Sequence, residues 1–245
     1  MNYIIITGLA GSGKSLLTQS LSESLEEDGW SVLKANFDPS AENLPYTPDF
    51  DIKEFVDSRT VLDRYGLGSN GSLLLSMDLL LANLNVISPV LESYDYDYAI
   101  LDMPGQLEIF AFRTTGPILL NSIAQDKLIF FLSDVVVASD INNFLLLEMI
   151  SRILALRMNA TSIHVINKID LDPDAEKRIR EFERMARSQS QADVLQLNLF
   201  KAYRLMKKVA PASEVVFASA KTKENIWKLK AYVSRVFKGG EDKKA

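Results

Sequence analysis

Six short apolar runs, at residues 3–7, 32–35, 98–101, 128–132, 162–166 and 215–218, recur along the chain, several of them rich in Val and Ile. Runs this short and this uniformly apolar predict strands buried on both faces, as in a parallel sheet. Between them lie longer segments, 14–27, 142–157 and 222–236, whose apolar residues return every three or four positions, as helices covering a sheet require. Strand and helix alternate, so the expected architecture is a three-layer α/β fold with a mostly parallel central sheet. Two stretches exceed that minimal pattern. One is 57–92, with its Gly-rich patch Tyr65-Gly66-Leu67-Gly68-Ser69-Asn70-Gly71-Ser72, and the other is the charged segment 172–207. Both are expected to be helical insertions.

Composition narrows the function classes. The 245 residues are 47% hydrophobic and 24% charged, enough to build one sizeable core, so residues 1–237 are expected to form a single domain followed by a polar tail, 238–245. The net charge of −5 and a tail that mixes Lys238, Lys243 and Lys244 with Glu241 and Asp242 argue against electrostatic binding of nucleic acid. With no cysteine and one histidine, disulfides and thiolate metal sites are excluded and zinc chemistry nearly so. That histidine, His164, lies inside an apolar run, where a structural role is expected. Neither a secretory signal nor an uninterrupted 18-residue apolar span is present, so a cytoplasmic protein away from the membrane is expected.

Gly8-Leu9-Ala10-Gly11-Ser12-Gly13-Lys14-Ser15 fits the pattern G-x-x-x-x-G-K-S and stands where that pattern must stand, after a strand and at the start of a helix. Its glycines let successive N–H groups turn inward, and the helix start at Gly11, Ser12, Gly13, Lys14, Ser15 and Leu16 adds partial positive charge for a polyphosphate. Lys14 is expected to reach the β- and γ-phosphates, and Ser15 to ligate Mg²⁺. A plain Gly-rich turn would need neither the Lys nor the adjacent hydroxyl.

Asp102-Met103-Pro104-Gly105-Gln106 follows the run at 98–101, where phosphate-loop NTPases place an aspartate that holds Mg²⁺ directly or through water. Asp102 is therefore the second candidate metal ligand, and Gly105 can bring an N–H to a γ-phosphate in a loop that relaxes when the phosphate leaves. Gln106 and Glu108, just beyond, are candidates for orienting an attacking water. Asp38, at the end of the second run in Asn36-Phe37-Asp38-Pro39, approaches the same place; alone, Asp-Pro is as readily a turn.

Asn167-Lys168-Ile169-Asp170 follows the run at 162–166. The Asp170 carboxylate can accept from guanine N1–H and the exocyclic amine, whereas adenine would leave it unpaired at a cost of about 1–3 kcal/mol, at least tenfold in preference. Lys168 would lie along the base. Ser219-Ala220-Lys221, after the last run, is placed for an Ala220 N–H to meet guanine O6. Each motif is common alone; their order behind the phosphate loop predicts GTP and GDP as ligands.

In these motifs and their setting the chain resembles the GPN-loop GTPases, dimeric phosphate-loop GTPases of archaea and eukaryotes. The resemblance covers nearly the whole length: the phosphate loop, Asp38-Pro39, Gly68-Ser69-Asn70, Asp102 through Glu108, Asn167 through Asp170, and Ser219-Ala220-Lys221. It implies a phosphate-loop NTPase fold and a homodimer whose Gly68-Ser69-Asn70 loop, through Asn70, reaches the partner's active site, while Asp38, Gln106 and Glu108 arrange the water. Similar eukaryotic proteins are implicated in assembling and importing RNA polymerase II, so the resemblance also points to a protein client. The chain departs from the pattern at Ser69, where the family has proline. Two other classes stand beside a GTP-hydrolysing switch: a nucleotide-gated scaffold with incidental turnover, and an ATP-using relative, which the guanine motif disfavours.

Overall fold

The computed structural model describes residues 1–106, 113–188, 194–209 and 214–238. Among these described residues seven strands form one sheet: β1 (Asn2–Gly8), β2 (Val32–Asn36), β3 (Phe50–Asp51), β4 (Tyr98–Asp102), β5 (Lys127–Asp134), β6 (Thr161–Asn167) and β7 (Val215–Phe217). Their order is β3-β2-β4-β1-β5-β6-β7 and every pair is parallel, a stricter outcome than the mostly parallel sheet expected. All six apolar runs became strands. The seventh, β3, was missed because two residues beside Ala35 and Asn36 carry no periodicity.

The central strands read as continuous apolar runs because consecutive side chains enter different cores. Ile4 and Ile6 of β1, Tyr98 and Ile100 of β4, and Leu128, Phe130 and Leu132 of β5 pack on one face. Tyr3 and Ile5, Ala99 and Leu101, Ile129 and Phe131 pack on the other. Residues that alternate between two dry faces must all be apolar.

The helices among the described residues, in chain order, are α1 (Lys14–Glu27), α2 (Ser58–Tyr65), α3 (Ser69–Ala82), α4 (Leu84–Glu92), α5 (Thr115–Ile123), the single turn α6 (Val135–Ala138), α7 (Ile141–Met158), α8 (Ala175–Ser188), α9 (Val194–Val209) and α10 (Ile226–Lys238). Helices α1 and α10 cover one face through Leu17, Leu21, Leu25, Ile226, Leu229 and Val233, and the others cover the opposite face. Both expected insertions are helical, α2 to α4 in one and α8 with α9 in the other. The leucine-rich stretch of α3 serves the core through Leu73, Met77 and Leu80. Among the described residues no single helix is long and apolar enough to cross a membrane.

His164 is fully buried, as a structural histidine should be: Ser133 Oγ lies 2.8 Å from its Nε2 and Glu148 Oε1 lies 3.1 Å from its Nδ1. Arg152 and Lys207 each reach Glu148 Oε2 at 3.3 Å, which balances its charge.

Because β1 is central, with β4 on one side and β5 on the other, the crossovers diverge there and leave a crevice at the carboxyl ends of the strands. The phosphate loop, Asp38-Pro39, Asp102 to Gln106, Asn167 to Asp170 and Ser219-Ala220-Lys221 each follow such an end, whereas Gly68-Ser69-Asn70 follows α2.

Candidate nucleotide site

The loop between β1 and α1 is shaped by its glycines. Gly13 caps α1 at φ 91° and ψ 30°, a left-handed conformation that disfavours side chains, and a Cβ there would meet Asn167 Nδ2 at 2.6 Å. The first N–H groups of α1, through Ser15 and Leu16, have no partner one turn back, so the helix start presents donors to the crevice. Lys14 is buried, and its Nζ donates to Leu9 O at 3.2 Å. Burial lowers its pKa, opposed by the charges of Asp102 and Asp38, so those three groups share one neighbourhood. Ser12 Oγ is fully buried and has no partner among the described residues, a polar atom that a phosphate oxygen would satisfy.

Asp102 ends β4 at 2% exposure, and burial pushes its carboxyl up to about 6 against hydrogen bonds from Ser15 and Tyr46. Tyr46 Oη donates to Asp102 Oδ2 at 3.1 Å, a partner that no sequence motif marked. Among the described residues no group of three or more His, Asp or Glu forms an all-protein metal cage. The Ser15 hydroxyl and Asp102 carboxylate, two hard oxygen donors in contact beside a phosphate loop, suit Mg²⁺, which takes its other ligands from phosphate and water.

Gly105 lies against the phosphate loop: a Cβ there would stand 3.2 Å from Lys14 Nζ and 3.3 Å from Ala10 Cα. The next residue, Gln106, donates through Nε2 to Asn70 Oδ1 at 3.0 Å within the same chain. Asp38 is half-buried; its Oδ1 accepts from Ser40 N–H at 2.9 Å and Ser40 Oγ at 2.5 Å, an Asx-type turn. Asp38 thus forms a turn, and its charge also acts on Lys14 and Asp102. Glu108 lies outside the described residues. Arg113 pairs with Asp78 at 3.4 Å on the surface.

The segment after β6 clasps the phosphate loop from the other side. Asn167, 1% exposed, donates to Ser12 O at 2.8 Å and accepts the Ala220 N–H at 2.9 Å, joining three loops through one amide. Lys168 adopts φ 65°, costly for a residue with a Cβ, and is held by bonds from Nζ to Gly11 O and Asp134 Oδ2, both 2.7 Å. Asp134 was not marked by the sequence; it closes β5, caps α6 through the Val136 N–H at 2.8 Å, and fixes Lys168 from behind. Asp170 Oδ1 accepts from Ser219 Oγ at 2.6 Å, so the last two motifs are in direct contact. The Ala220 N–H, expected to face a base oxygen, already serves Asn167, so a base contact requires sharing or exchange of that bond.

With this geometry in place, comparison with known proteins gives a consistent result. A family model described as a conserved hypothetical ATP-binding protein matches residues 6–239. The GPN-loop GTPase PAB0955 of Pyrococcus abyssi is 31% identical over 229 residues, covering 90% of this chain and 91% of that one. The chain belongs to the GPN-loop GTPase family. The crystal structure of PAB0955, described as a GTPase in apo form, superposes with a TM-score of 0.84 over 97% of this chain and 98% of that one, at 29% identity. GPN-loop GTPase 1 of Dictyostelium discoideum is 37% identical over 123 residues, 49% of this chain but only 31% of that longer protein.

The GPN tripeptide itself, Gly68-Ser69-Asn70 here, is the start of α3. Gly68 is the cap residue at φ −75° and ψ 167°, and Ser69 is the first helical residue. Proline is favoured at that position, because its missing N–H would be unpaired anyway, and the residue before it is already extended. The family's proline thus fits a helix start, and serine occupies that place here.

Proposed function

We propose that this protein binds GTP and GDP with Mg²⁺ and hydrolyses GTP to GDP and phosphate as a dimeric switch in the cytoplasm. The observation that carries the reading is the Asn167 amide, which locks the phosphate loop to both guanine-reading segments across 155 residues of sequence. Membership of a GTPase family supports hydrolysis, and the Asn167-Lys168-Ile169-Asp170 sequence favours guanine over the adenine named in the family description.

In this reading Lys14 and the N–H groups of Gly11 through Leu16 hold the β- and γ-phosphates. Ser15 and Asp102 would hold Mg²⁺, which supplies charge neutralisation at the transferring phosphate. Gly105 sets its N–H toward the γ-phosphate. Asp38, whose Oδ1 is committed to Ser40, keeps Oδ2 for a water, and Gln106 and Glu108 orient that water in line. Asp170 reads the base edge, Lys168 lies along it, and Ser219 and Ala220 close the pocket. When phosphate leaves, the contacts at Gly105 and Gln106 are released, and that release reaches α3 through Asn70.

The dimer is supported by apolar residues left outward on neighbouring helices: Val86 at 49% exposure on α4, Ile118 at 48% on α5, and Leu146 and Leu156 at 59% on α7. Asn70, exposed at the tip of α3, stands at the mouth of its own site, where the same element of a second copy can approach. A protein client related to RNA polymerase follows by family analogy.

The test compares phosphate release from GTP and ATP with light scattering in the presence of GDP and a non-hydrolysable GTP analogue. GTP-selective turnover and a nucleotide-dependent dimer are expected. Lys14→Ala should abolish binding, and Asp170→Asn should shift preference from guanine to xanthine nucleotides. Equal turnover of ATP, or undiminished GTP affinity in the lysine variant, defeats the reading.

A further inference from the structure

Residues 42–48 lie outside helix and strand, between two firmly held ends. On one side Lys53 Nζ donates to Ala41 O at 2.8 Å; on the other Asp49 N–H donates to Lys34 O at 2.8 Å, and Asp49 Oδ2 accepts the Lys34 N–H at 2.9 Å. Among the described hydrogen bonds of residues 42–48, the one from Tyr46 Oη to Asp102 Oδ2 at 3.1 Å joins the segment to a distant strand. Both partners are buried, at 9% and 2% exposure. A phenol facing a carboxylate oxygen at this distance is the donor of the pair. With Oδ2 held by that phenol, the Asp102 carboxylate has one orientation.

We propose that Tyr46 is a positioning residue that sets the Asp102 carboxylate for Mg²⁺ held jointly with Ser15, and that it makes the ordering of residues 42–48 depend on the metal. The inference rests on the nucleotide reading above and extends it to a residue outside every motif. Asp38 opens the same connection between β2 and β3, with its N–H on Asn36 Oδ1 at 3.0 Å, and Asn36 Nδ2 reaches Asp51 Oδ1 at 2.9 Å. The connection that carries a water-orienting carboxylate is therefore latched to the metal ligand, and metal occupancy and water orientation are coupled through one phenol.

Tyr46→Phe removes a single oxygen and keeps the ring. Mg²⁺ is titrated into the protein loaded with a fluorescent GDP analogue, and half-saturation is read from the slowing of GDP release. The variant should need roughly tenfold more Mg²⁺, as expected for loss of a hydrogen bond to a charged acceptor. Hydrogen exchange gives a second readout: Mg²⁺ with GDP should protect residues 42–48 in the wild type and fail to do so in the variant. In an Asp102→Asn background the substitution should add no further change. Wild-type half-saturation in Tyr46→Phe overturns the inference, including when the melting temperature falls, because the residue then serves packing alone. Metal-independent protection also overturns it. A wild-type protein that binds no GDP at any Mg²⁺ concentration instead defeats the nucleotide reading itself.

Discussion

Asn167→Ala tests the construction of the site at its narrowest point. The buried amide satisfies two main-chain groups, Ser12 O at 2.8 Å and the Ala220 N–H at 2.9 Å, and it fills space beside Gly13. Alanine leaves both groups buried without partners, each at about 1–3 kcal/mol, so the total cost is about 2–6 kcal/mol before any relaxation. Relaxation has a direction: the phosphate loop and the segment at Ser219 and Ala220 are freed from each other and must be reassembled on binding. Part of the loss therefore appears as stability and part as affinity. At an m-value of about 2–3 kcal/mol/M, a share of about 2 kcal/mol lowers the urea midpoint by roughly 1 M. A further share of about 1.4 kcal/mol weakens GDP by about tenfold in calorimetry. Asn167→Asp separates the halves, because it keeps an acceptor for the Ala220 N–H and sets a carboxylate against Ser12 O. It should fall at or below alanine in GDP affinity. An unchanged urea midpoint together with unchanged GDP affinity in Asn167→Ala refutes the idea that this amide holds the three loops together.

Other expectations follow from single contacts. Ser69→Pro places proline at the first position of α3 after an already extended Gly68, so thermal or urea unfolding should show a gain of about 0.4–1 kcal/mol; a loss would mean that the Ser69 N–H is needed. Gly105→Ala puts a methyl 3.2 Å from Lys14 Nζ and 3.3 Å from the Ala10 main chain, so GTP turnover should drop on the order of tenfold through misplacement, with far-ultraviolet circular dichroism unchanged. For Glu148, burial alone would raise the carboxyl, but the hydrogen bond from His164 and the charges of His164, Lys207 and Arg152 hold it below its ordinary 4.5. A carboxyl lowered by folding stabilises the protein above its unfolded value, and that contribution is lost as pH falls through the folded one. Glu148→Gln should accordingly flatten the acid limb of a stability profile measured below about pH 4.5, and an unaltered limb would remove the network from the account.

The sequence by itself determined the strands and the phosphate loop, for a local reason in each case. A strand dry on both faces must be apolar at every position, so β1, β4, β5 and β6 announced themselves, and a loop that curls its main chain around phosphate needs Gly13, Lys14 and Ser15 in fixed succession. The Asn167 and Ser219 motifs were legible through order and spacing, yet their mutual contact was not. Other features belong to tertiary structure alone. β3 is a strand only because Ala35 and Asn36 lie beside it, and α10 begins at Ile226 rather than 222 because the loop before it has Lys223 and Asn225 at positive φ. Tyr46 and Asp134 carry no motif, since a phenol or a carboxylate acquires its role from the atom it meets, here Asp102 and Lys168. Patterns that repeat along the backbone can be read in one dimension; a hydrogen bond between residues 56 positions apart exists only once the sheet has set the connection after β2 beside the end of β4.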